Sequence, residues 1–437
     1  MRRSGLTEPN NAKDKVDTST PDQPASLLNR NFLLLWHAQF VSRLGNQAYI
    51  IAMMFWLKHA TGSASLMGLI LMLSRLPGVL LGPFCGAVVD RFSRRRVVVL
   101  CDGISGLAGL ALATVVFCFP SATAAITVSL FCVSVLTGTA SAFLRPAVTA
   151  AIPDLVPTDR VVAANSMDRT SVWLATSVGQ GLGGILFRLV GAPLLFLMDA
   201  LTFLVAASGE FFVDMGQKNK PADDGSETKV ADLMRDMLEG FRYVWRRAGL
   251  RQLMAVRGVM NFCFAPIWAL LPFYVEDHLG AGVDWYGFLI AVAGIGGVIG
   301  FVTAGAVPAL GRGRAVPALW YFLIFAVITV ALGCAATPMV ALVLMFFHGL
   351  SMALFNINVI TAIQLRTPAD TRGRVFALLN TLAGGLMPLG MGLAGVVADL
   401  TGQNIPLIFG VCGGVMVVAS LVAMANRPLR EYLAVDD

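Results

Sequence analysis

Charge is scarce in this 437-residue chain: Asp, Glu, Lys and Arg together make up 13% of it. A soluble domain carries about twice that share. With 32 basic and 26 acidic residues, a water-facing surface for a chain of this length cannot be assembled, so lipid must cover much of it. The same composition excludes a disordered chain, a collagen-like one and a disulfide-rich scaffold. The seven cysteines (Cys85, Cys101, Cys118, Cys132, Cys263, Cys334 and Cys412) stand singly in apolar runs. They form no Cys-x-x-Cys pair, which argues against a zinc site or a disulfide framework and for buried thiols. There is no Gly-Lys dipeptide, hence no phosphate-binding loop of the ATP-driven kind, and neither His-Glu-x-x-His nor Gly-x-Ser-x-Gly occurs. The chain does not read as an enzyme, and no cofactor is expected. The glycine runs at Gly181 and Gly294 fall inside apolar segments, where close helix packing accounts for them.

What the sequence has in abundance is apolar length. Hydrophobic residues make up 57% of it, and the mean hydropathy is +0.74. A bilayer-spanning helix needs about 20 such residues. Stretches of this kind are predicted near 32–57, 64–88, 97–119, 122–144, 162–188, 193–212, 252–275, 285–308, 315–336, 339–363, 374–398 and 405–426. The expected fold is an all-α integral membrane protein with twelve transmembrane helices.

The basic residues set its orientation. With the N-terminus inside, 26 of the 32 fall on cytoplasmic segments. Lys58 and Arg188 alone are external, and Arg43, Arg75, Arg169 and Arg257 lie within spans. Both termini are thus expected to be cytoplasmic, in a bacterial-type inner membrane. The net charge of +6 is a topology signal, and nucleic acid is not an expected partner.

Residues 1–31 read as a disordered tail, 32–213 and 252–426 as two six-helix halves, and 427–437 as a cytoplasmic tail. Between the halves, 214–251 reads as a cytoplasmic linker ending in an amphipathic helix that lies on the membrane surface. Its apolar face holds Leu233, Met237, Leu238, Phe241 and Val244. The halves repeat. The segment from Gly86 to Val97 aligns without gaps on that from Gly305 to Val316, and the segment from Gly181 to Gly191 on that from Gly392 to Gly402. This is the pattern of two repeats related by a pseudo-two-fold axis, with a site between them.

The segment Gly82-Pro-Phe-Cys-Gly86-Ala-Val-Val-Asp90-Arg91-Phe-Ser-Arg94-Arg95-Arg96 resembles the loop motif between helices two and three of the major facilitator superfamily. Phe143-Leu-Arg-Pro-Ala-Val, Ala151-Ile-Pro-Asp-Leu-Val-Pro157, Gly373-Arg-Val-Phe and the run from Met387 to Gly395 resemble its macrolide-efflux and enterobactin-exporter branch, of the drug/proton antiporter type. The resemblance implies the major facilitator fold and a loop acid that caps a neighbouring helix and pairs with an arginine at the inner end of helix four. Asp90 and Arg145 occupy those positions, with Gly86, Arg91 and Arg94 completing the gate. The alternative for the arginines is simple anchoring to anionic headgroups. The chain departs from sister branches in lacking an arginine inside helix four and a carboxylate in helix one, which has Arg43 and Asn46 instead. Proton coupling is therefore implied by the resemblance alone.

Ionisable groups at membrane depth face a cavity or a partner. Arg43 and Arg75 each sit eleven residues into a span, about 17 Å deep. Each either pairs with a carbonyl or carboxylate elsewhere or lines a positive cavity that contacts substrate carboxylate, phosphate or catecholate. Asn46, Gln47, Trp173, Gln180, Arg257, Asn261, Trp268, Asn356 and Asn358 are the other candidates for that cavity, although Asn356 and Asn358 cannot share a helix face. Asp168, Asp199 and His348 are the candidates for proton coupling, with packing as the alternative for His348. The expected function is secondary export of an amphiphilic, anionic or mixed-charge small molecule by alternating access. Siderophore-like cargo is favoured, then antibiotic-like. A lysophospholipid flippase and a transporter-like receptor are the alternatives. Expected partners are the small-molecule substrate, protons and membrane lipids, with the protein acting as a monomer and holding no metal.

Overall fold

The computed structural model describes residues 26–89, 92–215, 235, 238–306 and 315–434. Asp90 and Arg91 of the expected gate lie outside them, as do Leu233 and Met237 of the linker helix. The described residues are helical throughout, without strands. The first half holds α1 (Arg30–Thr61), α2 (Ala64–Val89), α3 (Arg94–Cys118), α4 (Thr123–Leu155) and α5 (Val161–Phe211). After α6 (238–246) come α7 (Ala248–Phe273), α8 (Asp284–Ala306), α9 (Ala315–Gly333), α10 (Pro338–Arg366), α11 (Ala369–Leu400), α12 (Ile405–Ala425) and the short α13 (Arg427–Leu433). Nine of the helices among the described residues are long and apolar enough to cross a membrane.

Local chemistry explains where the elements start and stop. Asn29 caps α1 by accepting the Phe32 N–H at 3.0 Å, and its amide donates to the Leu155 carbonyl at 2.6 Å. The entry of α1 is thereby tied to the end of α4. Thr337 caps α10 and Asn404 caps α12, each just before an N-terminal proline. The sequence predicts two spans at 162–188 and 193–212. Both fall on the 51 residues of α5, which is two helices meeting at Gly191, whose φ of 74° is not helical, with Pro193 following. Only glycine takes that backbone conformation without a Cβ penalty.

The internal repeat recurs in three dimensions. Gly191 and Gly402, paired by the sequence alignment, both have positive φ. So do Gly62, between α1 and α2, and Gly280, at the corresponding turn between α7 and α8. The packing repeats as well: α2 lies against α4 as α8 does against α10, and α3 against α5 as α9 does against α12.

Two seams join the halves, α2 against α11 and α5 against α8, and both are built on glycine. A Cβ on Gly395 would lie 2.2 Å from the Ala64 carbonyl oxygen, and one on Gly287 would lie 2.1 Å from that of Gly181. Backbones approach this closely only over small residues. The two faces of the molecule differ. One carries the start of α1, the end of α4 and α13, and is called here the tail face. The other is the far face, and at it the halves are clamped. Lys58 reaches Glu276 at 2.6 Å and Asp277 at 2.8 Å, His59 reaches Glu276 at 3.0 Å, and Arg188 reaches Asp284 at 2.6 Å. Phe55 packs edge-on against Tyr286 beneath them. Every ion pair between described residues of the two halves lies at this face. At the tail face the first half instead keeps a core of its own, including Phe32, Leu35, Val98, Ala151, Ile152 and Val213. The large core that runs through the second half and the far part of the first does not extend into it.

Asp399, near the end of α11, completes the clamp. Its carboxylate accepts from the backbone N–H of Ala64 and of Ser65, each at 2.9 Å, and from the Ser63 hydroxyl at 2.8 Å, capping α2 from the opposite half. Loss of such a cap costs about 1 kcal/mol. The Asp399→Ala variant should therefore show faster amide hydrogen exchange over the first turn of α2, by about fivefold, with the first turn of α10 unchanged as an internal reference.

Of the linker helix, Val244 is buried, Leu238, Phe241 and Trp245 are exposed, and the Phe241 and Trp245 rings stack at 5.3 Å. Glu239 pairs with Arg374 of α11 at 2.8 Å. Of the three described residues of the expected apolar face, Val244 packs inward while Leu238 and Phe241 project outward.

Candidate functional site

A cavity of about 370 Å³ lies between the halves, on the tail side of the α5–α8 seam. Its first-half wall is α5, with Trp173, Thr176, Ser177 and Gln180. Its second-half wall comes from α7 (Phe264, Ile267, Trp268, Leu271), α8 (Ile290, Gly294, Gly297, Phe301) and α10 (Met345, His348, Met352, Asn356). Small residues on α8 open the space, while aromatic and methionine side chains give it an apolar, polarisable surface.

His348 belongs to that surface. Its ring stacks on Phe325 at 4.2 Å and Phe264 at 5.6 Å, and Nε2 lies 3.4 Å from the Thr329 hydroxyl. Polar groups are few and placed apart. Gln180 donates to the Gln47 side chain on α1 at 2.8 Å. Asn356 accepts from the Arg257 guanidinium at 2.5 Å, and that guanidinium lies over the Phe355 ring. A positive charge thus stands one hydrogen bond behind the wall.

The structure brings together Trp173, Gln180, Trp268, Asn356 and His348 from the sequence-predicted residues. Gln47 and Arg257 sit directly behind them. Asn261 bonds its own helix at Arg257 and Asn358 bonds Leu354, so neither lines the cavity. Arg43 is engaged: it pairs with Asp168 of α5 at 2.8 Å and donates to the Ser171 hydroxyl at 2.8 Å. Arg43 and Asp168, expected to serve substrate and proton respectively, neutralise one another in this state. Neither they nor Asn46 is among the lining residues. Arg75 and Arg145 lie within electrostatic range of one another on the first half, Arg75 also within that of Tyr286 on α8 of the second half, and neither is among the lining residues. Asp199 is buried beside Gly45 of α1, away from the cavity. Of the expected gate, Gly86 is half-buried in α2 and Arg94 pairs with Asp154 at the end of α4, inside the first half. The partnership of Arg145 with Asp90 falls outside the described residues.

Sequence reasoning missed Phe264, Phe301, Met345 and Met352, because an apolar residue in an apolar helix offers no contrast. It also missed the buried acids Asp102 and Glu210, which lie near the ends of spans three and six.

Comparison with known proteins decides the family. The Major Facilitator Superfamily profile matches residues 35–389. The chain belongs to the Major Facilitator Superfamily. It is 24% identical over 390 residues to macrolide efflux protein A of Streptococcus pyogenes, covering 85% of this chain and 90% of that protein. It is 26% identical over 408 residues to the multidrug efflux pump Tap of Mycobacterium tuberculosis, covering 92% and 94%. Among solved structures, a bacterial homologue of the iron transporter ferroportin in an inward-facing state superimposes with a TM-score of 0.71 at 17% identity, covering 92% of this chain and all of that one. A point mutant of the nucleoside transporter NupG does so with a TM-score of 0.70 at 13% identity, covering 91% and 99%. These structural likenesses establish the shared fold. Membership makes the chain a multi-pass membrane transporter of small molecules, and not an enzyme.

Proposed function

We propose that this transporter is a secondary exporter that carries an amphiphilic small molecule from the cytoplasm by rocking its two six-helix halves, in exchange for protons. The observation that carries the reading is the aromatic-walled cavity between the halves, placed on the tail side of a far-face clamp. The positive-inside bias of the sequence puts the tail face in the cytoplasm, so the cavity is poised to load from within. The efflux activities named for the two curated relatives point the same way. Read as twelve crossings, with α5 contributing two and α1 and α9 one each, the chain has both ends on the cytoplasmic side of a bacterial inner membrane. It works as a single chain.

The cargo is read from the wall. Trp173, Trp268, Phe264 and Phe301 suit a bulky apolar body. Asn356, backed by Arg257, suits one polar or anionic substituent. An amphiphile of antibiotic size fits this division better than a polyanion, because no charged side chain is among the lining residues. That moves the preference expected from the membrane arginines, siderophore first, toward antibiotic-like cargo.

Expression in a bacterial strain stripped of its own efflux pumps tests the reading. The inhibitory concentration of erythromycin should rise, and Asn356→Ala should remove the gain. Normal growth inhibition by erythromycin, with the protein present in the membrane, counts against a macrolide. Export of enterobactin in the same strain, measured by mass spectrometry of the medium, would return the assignment to a catecholate anion.

A further inference from the structure

Asp102 of α3 and Glu210, at the end of α5, are both fully buried, at 0% exposure, in the first half. Their carboxyl groups lie against each other at hydrogen-bonding distance. The one side chain that serves both is Gln39 of α1, itself buried. Its amide donates to Asp102 Oδ2 at 3.0 Å and to Glu210 Oε1 at 2.7 Å. That uses both amide hydrogens and leaves Asp102 Oδ1 and Glu210 Oε2 without a donor. Buried polar atoms are seldom left in this way. Two ionised carboxylates in contact, with no cation among the described residues against them, repel strongly. A hydrogen on the pair itself, linking one carboxyl to the other, would satisfy both atoms and relieve that repulsion.

The surroundings supply a means of expelling it. Arg43 lies one helical turn beyond Gln39 on α1, within electrostatic range of both acids. In this state it is held away by Asp168 and Ser171 of α5. Cys101 of α3 and Cys85 of α2 lie nearby, Cys101 within electrostatic range of both acids. Arg95 is turned outward over the Phe211 ring and carbonyl. Arg43 is thus the cation placed to choose between Asp168 and the pair.

We propose that Asp102 and Glu210 form a proton-binding site, and that Arg43 releases the proton by leaving Asp168. The step is a proton transfer: the carboxyl O–H breaks, water on the tail side accepts the proton, and the Arg43 guanidinium balances the second carboxylate. Asp102 lies eight residues into α3, about 12 Å from the tail end of the helix, so release is toward the cytoplasmic side. The pair is sealed here, and exchange requires the half to rearrange. A link to the cargo runs along α5, since Asp168 and Ser171 precede Trp173 and Gln180 of the cavity wall. The role in coupling rests on the exporter reading. Proton binding itself does not.

Two measurements separate these claims. Purified protein in phosphatidylethanolamine–phosphatidylglycerol vesicles should show a protonated-carboxyl C=O band in pH-difference infrared spectra, lost or shifted in both Asp102→Asn and Glu210→Gln, with the amide bands unchanged. In the same vesicles, erythromycin uptake driven by a proton gradient should fall by about tenfold or more in either variant, while erythromycin exchange without a gradient stays within about twofold. A band that persists unaltered in both variants overturns the site. Variants that keep full gradient dependence, or that lose driven uptake and exchange together, overturn the coupling role. A band that behaves as expected in a protein that moves no erythromycin leaves the proton site standing and removes the macrolide-exporter reading.

Discussion

Replacing Gly287 with leucine should push the halves apart at the far face and strand the transporter away from the state described here. A Cβ at this position would come within 2.1 Å of the Gly181 carbonyl oxygen, and the backbone atom cannot turn aside as a flexible side chain would. Gly184 meets the Val283 carbonyl in the same seam, where an added Cβ would sit 2.6 Å away. The α5–α8 contact therefore has no slack on either helix. Overpacking of this kind costs about 1–3 kcal/mol, enough to change the ratio of far-closed to far-open populations by about 5- to 150-fold. Spin labels on the ends of α1 and α7 should report a longer far-face distance, and export should drop because the cavity no longer loads from the tail side. Gly282→Leu is the control: nothing lies within 4 Å of its added Cβ, and both readouts should match the unmodified protein.

Truncating Trp268 should have the largest effect on cargo binding. The ring lines the cavity and meets Phe264 edge-on at 6.1 Å. It joins the α7 wall to the aromatic group that holds His348. Removing a large aromatic contact from a desolvated pocket costs about 2 kcal/mol or more, a loss of about thirtyfold in affinity. Calorimetric titration of erythromycin into detergent-solubilised Trp268→Ala should show that loss, and Trp173→Ala a smaller one, since Trp173 is 44% exposed. Trp320→Ala should bind as the unmodified protein does, because that side chain lies on α9 outside the cavity and is 51% exposed. Equal losses in all three would mean that tryptophan removal acts through folding and not through the site.

The fold was legible because apolar length and the placement of arginine and lysine are properties of single segments. The repeat was legible through glycine: Gly191 and Gly402, aligned by sequence, share the left-handed conformation that makes glycine necessary at those turns. Partnerships between segments were not legible. Arg43 and Asp168 each stand out as charges at depth, but they are 125 positions apart, and sequence spacing says nothing about which cation meets which acid. The same holds for Asp399. Its position near a helix end reads as an interface residue, whereas its acceptance of two backbone amides of α2 is a product of the halves closing on one another. The cavity was half legible. Tryptophan, glutamine, asparagine and histidine contrast with their surroundings, while Phe301, Met345 and Met352 do not. The Gln39–Asp102–Glu210 cluster escaped for a different reason: each acid lies within three turns of a span end, where a charge looks ordinary until three helices bring the side chains together.

Transport itself is the most direct test of alternating export. Everted vesicles from cells expressing the protein, energised by respiration and supplied with radiolabelled erythromycin, should accumulate it inside above the level of vesicles lacking the protein. A protonophore should abolish the accumulation, and Trp268→Ala should reduce it toward background. Accumulation no greater than in vesicles lacking the protein, or equal accumulation with and without the protonophore, would contradict proton-driven export of such a cargo through this cavity.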